Sequence, residues 1–215
     1  MERQINKSDR VILLSIYIYF LAGIVWHLIP STREIITPLT AYGLYLFSIL
    51  LIIKERKYFS FPALLWFTFI GIATFSIEVV GVKTGKIFGE YSYGNILGIK
   101  LLGVPLIIAF NWALVLTGIY SFVYKYRSLS NPLKIILISL LTVTFDILLE
   151  PVALRLDYWN WYSGNVPFQN YTAWFLIAFL FTSIGIVLKI SINARFISHY
   201  ILAQTIFFLI LNILL

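Results

Sequence analysis

Seven stretches of about twenty predominantly apolar residues recur along the chain, at approximately 10–29, 35–53, 61–80, 101–124, 133–154, 171–189 and 195–214. A hydrocarbon core of roughly 30 Å takes about twenty helical residues to cross, so each stretch is a candidate transmembrane helix. Within lipid a backbone must satisfy its own polar groups, and seven separate helix-length segments do so as helices. Composition removes the soluble alternative. Hydrophobic residues make up 60% and charged residues 12% of the 215, with a mean hydropathy of +0.92, whereas ordinary globular chains hold about 25% charged residues. The expected fold is an all-α polytopic transmembrane bundle forming one integral-membrane domain over residues 1–215. Disorder, coiled coil and collagen are excluded by the apolar content and the lack of heptads or triplets. The absence of cysteine excludes a disulfide framework and thiolate-metal or thiol redox chemistry.

The first stretch follows basic residues, as a signal peptide does, but it is long and ends at His27-Leu28-Ile29-Pro30 without a small-residue cleavage pattern, so it reads as a retained helix. The formal charge of +7 sits between the spans, where it sets topology and gives no reason to expect a nucleic-acid partner. Eleven of the sixteen Lys and Arg residues fall in the amino-terminal segment and after spans two, four and six, in short runs such as Lys54-Glu55-Arg56-Lys57. The amino terminus is therefore expected in the cytoplasm and the carboxyl terminus outside.

Two outer loops stand apart in composition. Between Gly81 and Gly103 lie half of the glycines with Lys83, Lys86, Glu90, Tyr91 and Tyr93; between Arg155 and Asn170 lie Asp157, Tyr158, Trp159, Trp161, Tyr162 and Gln169. Polar ionisable groups deep in a span cost at least about 2.5 kcal/mol each and mark function by default. Here they are few: Glu78 in span three, Asp146 and Glu150 in span five, His27 ending span one and His199 early in span seven. At 1.5 Å per residue, Glu78, Glu150 and His27 lie roughly 25 Å from the cytoplasmic end and Asp146 about 20 Å, which brings polar groups from three helices to one layer.

Asp146 and Glu150 share a helix face at i and i+4, with Thr142 one turn inward. Pro151 removes the amide that would bond the Ile147 carbonyl, leaving an acceptor and an expected kink beside the acids. Two carboxyls close together in a low dielectric do not both ionise cheaply, so one is expected to keep its proton and serve as a general acid. His27 reads better as a hydrogen-bonding residue at the interface, and His199, at the other end of the bundle, as structural. Gly81-Val82-Lys83-Thr84-Gly85-Lys86 has one residue too few between its glycines for a phosphate loop, and Ile87 stands where a hydroxyl is needed. Its glycines suit either close helix packing or tight turns. The acids suit a divalent metal poorly, since no further aspartate cluster accompanies them. Neither histidine has a serine and an acid arranged for nucleophilic catalysis. The outer aromatics form either an interfacial belt or an inward-folded π surface suited to a polyene and a transient cation, with Asn111 and Trp112 of span four as its inner wall.

A family resemblance enters through two blocks. The first is Glu78-Val79-Val80-Gly81-Val82-Lys83-Thr84-Gly85-Lys86-Ile87-Phe88-Gly89-Glu90-Tyr91-Ser92-Tyr93, with Leu102-Gly103-Val104-Pro105 and Asn111-Trp112. The second is Asp146, Glu150-Pro151-Val152-Ala153, Trp159, Trp161, Tyr162-Ser163-Gly164-Asn165-Val166-Pro167, Asn170-Tyr171 and Trp174. Together they resemble the integral-membrane carotenoid biosynthesis proteins, among them the bisanhydrobacterioruberin hydratase-like acyclic carotenoid hydratases. Many members carry Asp where this chain has Glu150, which keeps the carboxyl and changes its reach.

The resemblance implies hydration of the terminal double bond of an acyclic carotenoid, without a redox cofactor, in the cytoplasmic membrane of a prokaryote. Its partners would be the carotenoid, water and the bilayer, with room for association with other carotenoid enzymes. Asp146 or Glu150 is then the expected proton donor, with Glu78 and the other member orienting water or stabilising charge. Tyr91, Tyr93, Asn111, Trp112, Trp159, Trp161, Tyr162, Asn170 and Trp174 are the expected substrate contacts. The competing readings are a proton-coupled transporter, which inverted halves would favour and none is found, and a carotenoid-binding protein without catalysis.

Overall fold

A computed structural model describes residues 6–215; of the basic amino-terminal segment, Arg3 lies outside them. Among the described residues run seven helical segments long and apolar enough to cross a membrane. The first is α1 (Lys7–Leu28), started by Asn6, whose side chain accepts from the Asp9 amide in a capping box. The second span is broken near Pro38 into α2 (Pro30–Ile36), a 3-10 turn and α3 (Thr40–Glu55), because proline cannot donate to the preceding turn. Next come α4 (Phe61–Thr84), capped by Ser60 and closed by Gly85 at φ 65, α5 (Leu106–Tyr124) and α6 (Asn131–Arg155). The last two are α7 (Phe168–Val187) and α8 (Arg195–Leu214). Pro151 lies inside α6, which continues as helix to Arg155.

The fourth span begins five residues later than the apolar run predicts. Lys100–Leu101 (β2) pairs antiparallel with Val104–Pro105 (β3) through a two-residue turn in which Leu102 (φ 54) and Gly103 (φ 89) both adopt positive φ. Such a turn matches strand twist and stops the helix from starting at Leu101. A second ribbon joins distant segments: β1 (Tyr91–Tyr93) lies antiparallel to β4 (Trp159–Trp161). Gly85, Gly89 and Gly98, at φ 65, 110 and 78, serve the turns of this region, which decides for turns over helix packing there.

Thirteen of the nineteen residues of α5 are buried, and it packs against α3, α4, α6, α7 and α8, so it is the axis of the bundle. Close approach of α8 depends on Gly118, where a Cβ would stand 2.9 Å from the Ile201 side chain and 3.1 Å from the Ile197 carbonyl. On α1, Leu14, Ile18, Leu21 and Val25 are exposed while Ile16, Phe20 and Ile24 are buried, so the outward stripe is as apolar as the inward one, as a lipid-facing helix requires.

The helix ends gather into two faces. On one, Lys54 donates to Ser8, the Phe196 amide donates to Glu55, Ser121 donates to the Ile192 carbonyl, and Phe59 bridges Ile192. On the other, Gln169 donates to the Ile87 carbonyl, Arg155 to the Asn212 carbonyl, and the β1–β4 ribbon closes over the bundle.

Candidate active site

Strand alternation builds one wall. In Tyr91-Ser92-Tyr93 and Trp159-Asn160-Trp161 the aromatic residues occupy the odd positions, and the register sets Tyr91 against Trp161 and Tyr93 against Trp159. Side chains two apart share a face, so the four rings turn inward together while Ser92 and Asn160 lie on the outer face. The ribbon runs one further bond at each end, from the Gly94 amide to the Tyr158 carbonyl and from the Tyr162 amide to the Glu90 carbonyl.

Beneath this face lie the acids. Glu78 on α4 and Asp146 and Glu150 on α6 are 3, 1 and 2% exposed, and all three line one cavity of about 50 Å³. Buried charge or polarity requires partners, and here every observed partner is a neutral donor. Glu78 Oε2 accepts from the Tyr91 hydroxyl and, at 2.8 Å, from the Tyr93 hydroxyl. Glu150 Oε2 accepts from both indoles, Trp159 Nε1 and Trp161 Nε1, each at 2.9 Å. Asn170 at the start of α7 joins the pair: its Nδ2 donates to Asp146 Oδ2 at 2.8 Å and to Glu150 Oε1 at 3.3 Å. Among the described residues, no Lys, Arg or His lines the cavity.

The two phenols remain donors throughout the physiological range. Burial pushes Tyr91 and Tyr93 well above the ordinary tyrosine range, and the neighbouring Glu78 pushes them further. Tyr158, beside them in the wall, is pushed up to about 12 by burial. A triple ring stack completes the enclosure: Trp112 of α5 lies 3.5 Å from Trp174 of α7 at 21°, and Phe88 continues the stack at 5.2 Å.

The cavity thus gathers Glu78, Asp146, Glu150, Tyr91, Tyr93, Asn111, Trp112, Trp159, Trp161, Asn170 and Trp174. Tyr162 is the exception. It is 71% exposed, because it follows Trp161 in the strand alternation and falls on the outer face with Asn160. The aromatic cluster is therefore an inward surface more than an interfacial belt. His27 also lies apart from the cavity, with Nδ1 bonded to the Gly23 carbonyl at 2.7 Å and its ring edge-on to Phe207. His199 bonds the Tyr17 hydroxyl at 2.8 Å near the opposite face.

One polar lining residue escaped the sequence reading. Gln204 of α8 donates to Asn111 Oδ1 at 3.2 Å, while its buried Oε1 has no partner among the described residues. A search for ionisable groups passes over it; the visible signal is a primary amide in the middle of an apolar span, where an unsatisfied polar group is costly. Among the described residues no three His, Asp or Glu side chains cluster closely enough to form a metal-ligand set. Chemically the arrangement offers carboxyls for proton transfer, ring faces and acid oxygens for a cation, and an amide oxygen for a polar small molecule.

No solved structure matches the chain. Bisanhydrobacterioruberin hydratase of Haloarcula japonica is 33% identical over 110 residues, which are 48% of this chain and 38% of that protein. The chain thus matches well under half of that relative's length. The sequence model of the family described as "Carotenoid biosynthesis protein" matches residues 11–215. The chain is a membrane-spanning member of the carotenoid biosynthesis protein family.

Proposed function

We propose that the protein is a carotenoid hydratase that adds water across the terminal double bond of an acyclic carotenoid end group. The observation that carries this reading is the meeting of three buried carboxyls, without a cation among them, inside an aromatic enclosure. Similarity to a named hydratase over about half of the chain supports it. A site for a solute or a structural ion pair would call for counter-charges; a site for a transient carbocation calls for carboxylates and π faces.

The roles follow from the donors. Glu150 receives three N–H groups and Glu78 two O–H groups, which suits both as charge-bearing acceptors. Asp146 receives one, through Oδ2, and its second oxygen is the place for a proton. Asp146 transfers that proton to the less substituted carbon of the alkene, and the tertiary cation forms against the Trp112–Trp174 stack and the Glu150 carboxylate. Water adds to the cation and yields its own proton to the carboxylate system, so the acid is regenerated and one water is consumed per alcohol formed. The unpartnered Gln204 Oε1 is an acceptor available to orient that water. A water needs at least about 10–15 Å³, so a cavity of about 50 Å³ holds a few waters. An isoprenoid end group needs more room than this, so its entry requires the rings to move apart.

The distribution of basic residues supports a cell-membrane protein with a cytoplasmic amino terminus and the acid layer near the outer leaflet. A long polyene would lie within the bilayer and present its end to this layer.

Expression in cells that accumulate lycopene tests the proposal. The expected pigment is heavier by one water, resolved by chromatography and mass spectrometry, and is lost with Asp146→Asn. An unchanged mass with a shifted absorption spectrum would replace hydration by cyclisation or isomerisation.

A further inference from the structure

Hydroxyls inside the spans are satisfied locally. Thr74, Ser139, Thr142 and Thr205 each donate to the carbonyl one turn earlier in their own helix, at 2.7–2.8 Å, so they need no neighbour. A glutamine brings two N–H donors and an accepting oxygen, and Gln204, in the middle of α8, turns to another helix. Its Nε2 donates to Asn111 Oδ1, in the second turn of α5, at 3.2 Å. The residue is 2% exposed, and its Oε1 has no partner among the described residues. A bond between helices needs only the first contact; an acceptor left over, away from water, is costly unless something comes to it.

Its place in the bundle gives that acceptor a use. Of the buried side-chain atoms without a partner among the described residues, Gln204 Oε1 alone belongs to a residue lining the acid cavity. Glu78, Asp146 and Glu150 stand on α4 and α6 and are served by the ribbon and by α7. Asn111 and Gln204 come from α5 and α8. The cavity therefore has an acidic pole and a neutral one, built on different helices.

We infer that the Asn111–Gln204 pair decides the product: Gln204 is a positioning residue whose hold on water makes the cation end as an alcohol rather than as an alkene. The inference rests on the hydration reading and adds what selects its outcome. A tertiary cation beside carboxylates has two exits. In one, the water oxygen forms a C–O bond and an O–H proton passes to a carboxylate. In the other, a C–H bond next to the cationic carbon breaks, its electron pair becomes a double bond, and the proton goes to the same carboxylate with no water consumed. The second exit is always open, because bases line the cavity. Capture needs a water whose lone pair faces the carbon. A water that donates one O–H to Gln204 Oε1 keeps a lone pair for the cation and its other O–H for a carboxylate. A neutral amide suits this place, since it accepts from the water without removing its proton, and the bond to Asn111 fixes the plane of that amide.

Membranes carrying the full chain, incubated with lycopene in D2O, separate the two exits. The acid then delivers deuterium, so an unhydrated carotene that has gained deuterium reports proton loss, and the alcohol reports capture; both are read by chromatography and mass spectrometry. Gln204→Met keeps the length of the side chain and removes the acceptor. The expected result is a fall of roughly tenfold or more in the ratio of alcohol to deuterated carotene, the worth of one hydrogen bond in the capture step. The sum of the two products and the thermal unfolding midpoint in detergent should be retained. Asn111→Ala frees the amide without deleting it, should shift the same ratio less far, and carries the comparison if Gln204→Met does not fold. An unchanged ratio in variants of a wild type that hydrates overturns the assignment alone. So does an equal loss of both products with a lowered midpoint, which is the mark of a packing role. A wild type that gives no alcohol overturns the hydration reading itself, and this assignment with it.

Discussion

Three N–H groups converge on Glu150, two from indoles on one oxygen and one from Asn170 on the other, and the same amide of Asn170 reaches Asp146. In the proposed mechanism Asp146 is the proton donor, so Asp146→Asn is expected to lower product formation by about 10²–10⁴-fold, the usual worth of a positioned general acid. The protein should still insert, which an immunoblot of the membrane fraction verifies. Tyr93→Phe deletes one of the two hydroxyl donors to Glu78 and leaves an acceptor short of a partner, at a cost of about 1–3 kcal/mol in the state that uses it. Its expected signature is a lower kcat with little change in KM, read from initial rates in membranes. Tyr162→Ala, by contrast, should leave the product yield unchanged, since that ring lies on the outer face of the ribbon. The acids were legible from sequence because a carboxylate in an apolar span stands out on cost alone. Gln204 was not, since an amide carries no charge to flag it, and only the folded bundle shows that it lines the cavity with its oxygen unpartnered among the described residues.

At the scale of elements, the β1–β4 ribbon supplies both donors to Glu78 and two of the three to Glu150. Its two strands hold three residues each and are separated in the chain by α5 and α6. A run of three is too short for a period-two pattern to be read, and no turn dipeptide joins the strands to announce a hairpin. The aromatic content of both loops was visible; their pairing, and with it the rule that sorts Trp161 inward and Tyr162 outward, was not. The same limit explains the fourth span, where apolar residues at 101–105 continue the hydropathy of α5 while the backbone forms a tight ribbon turn. Gly94 ends β1 so close to the other strand that a Cβ would lie 2.1 Å from the Asp157 carbonyl oxygen. Gly94→Ala is expected to cost about 1–3 kcal/mol, as overpacking does, and to lower activity together with the thermal unfolding midpoint in detergent. A loss of activity with an unchanged midpoint would instead locate the effect in the acids.

For the molecule as a whole, hydropathy alone revealed all seven spans, because the cost of exposing backbone to lipid leaves little latitude in length. The sidedness proposed from basic residues has a direct test, made simple by the absence of native cysteine. A Ser163→Cys variant, between β4 and α7, should react with a membrane-impermeant maleimide in intact cells. Ser128→Cys, between α5 and α6, should react only after permeabilisation, and the reverse pattern would invert the orientation. The linear order of the chain adds a constraint on biogenesis. Glu78 leaves the ribosome before Tyr91 and Tyr93, and Asp146 and Glu150 before Trp159, Trp161 and Asn170. Each acid-bearing helix therefore meets the insertion machinery ahead of every side chain that will later satisfy it. The partners of Glu150 arrive in β4 and in the first turn of the sixth span, and Gln204 only in the seventh. Chains released before those segments are made would carry the acids into the bilayer without these donors, where an unsatisfied polar group is costly.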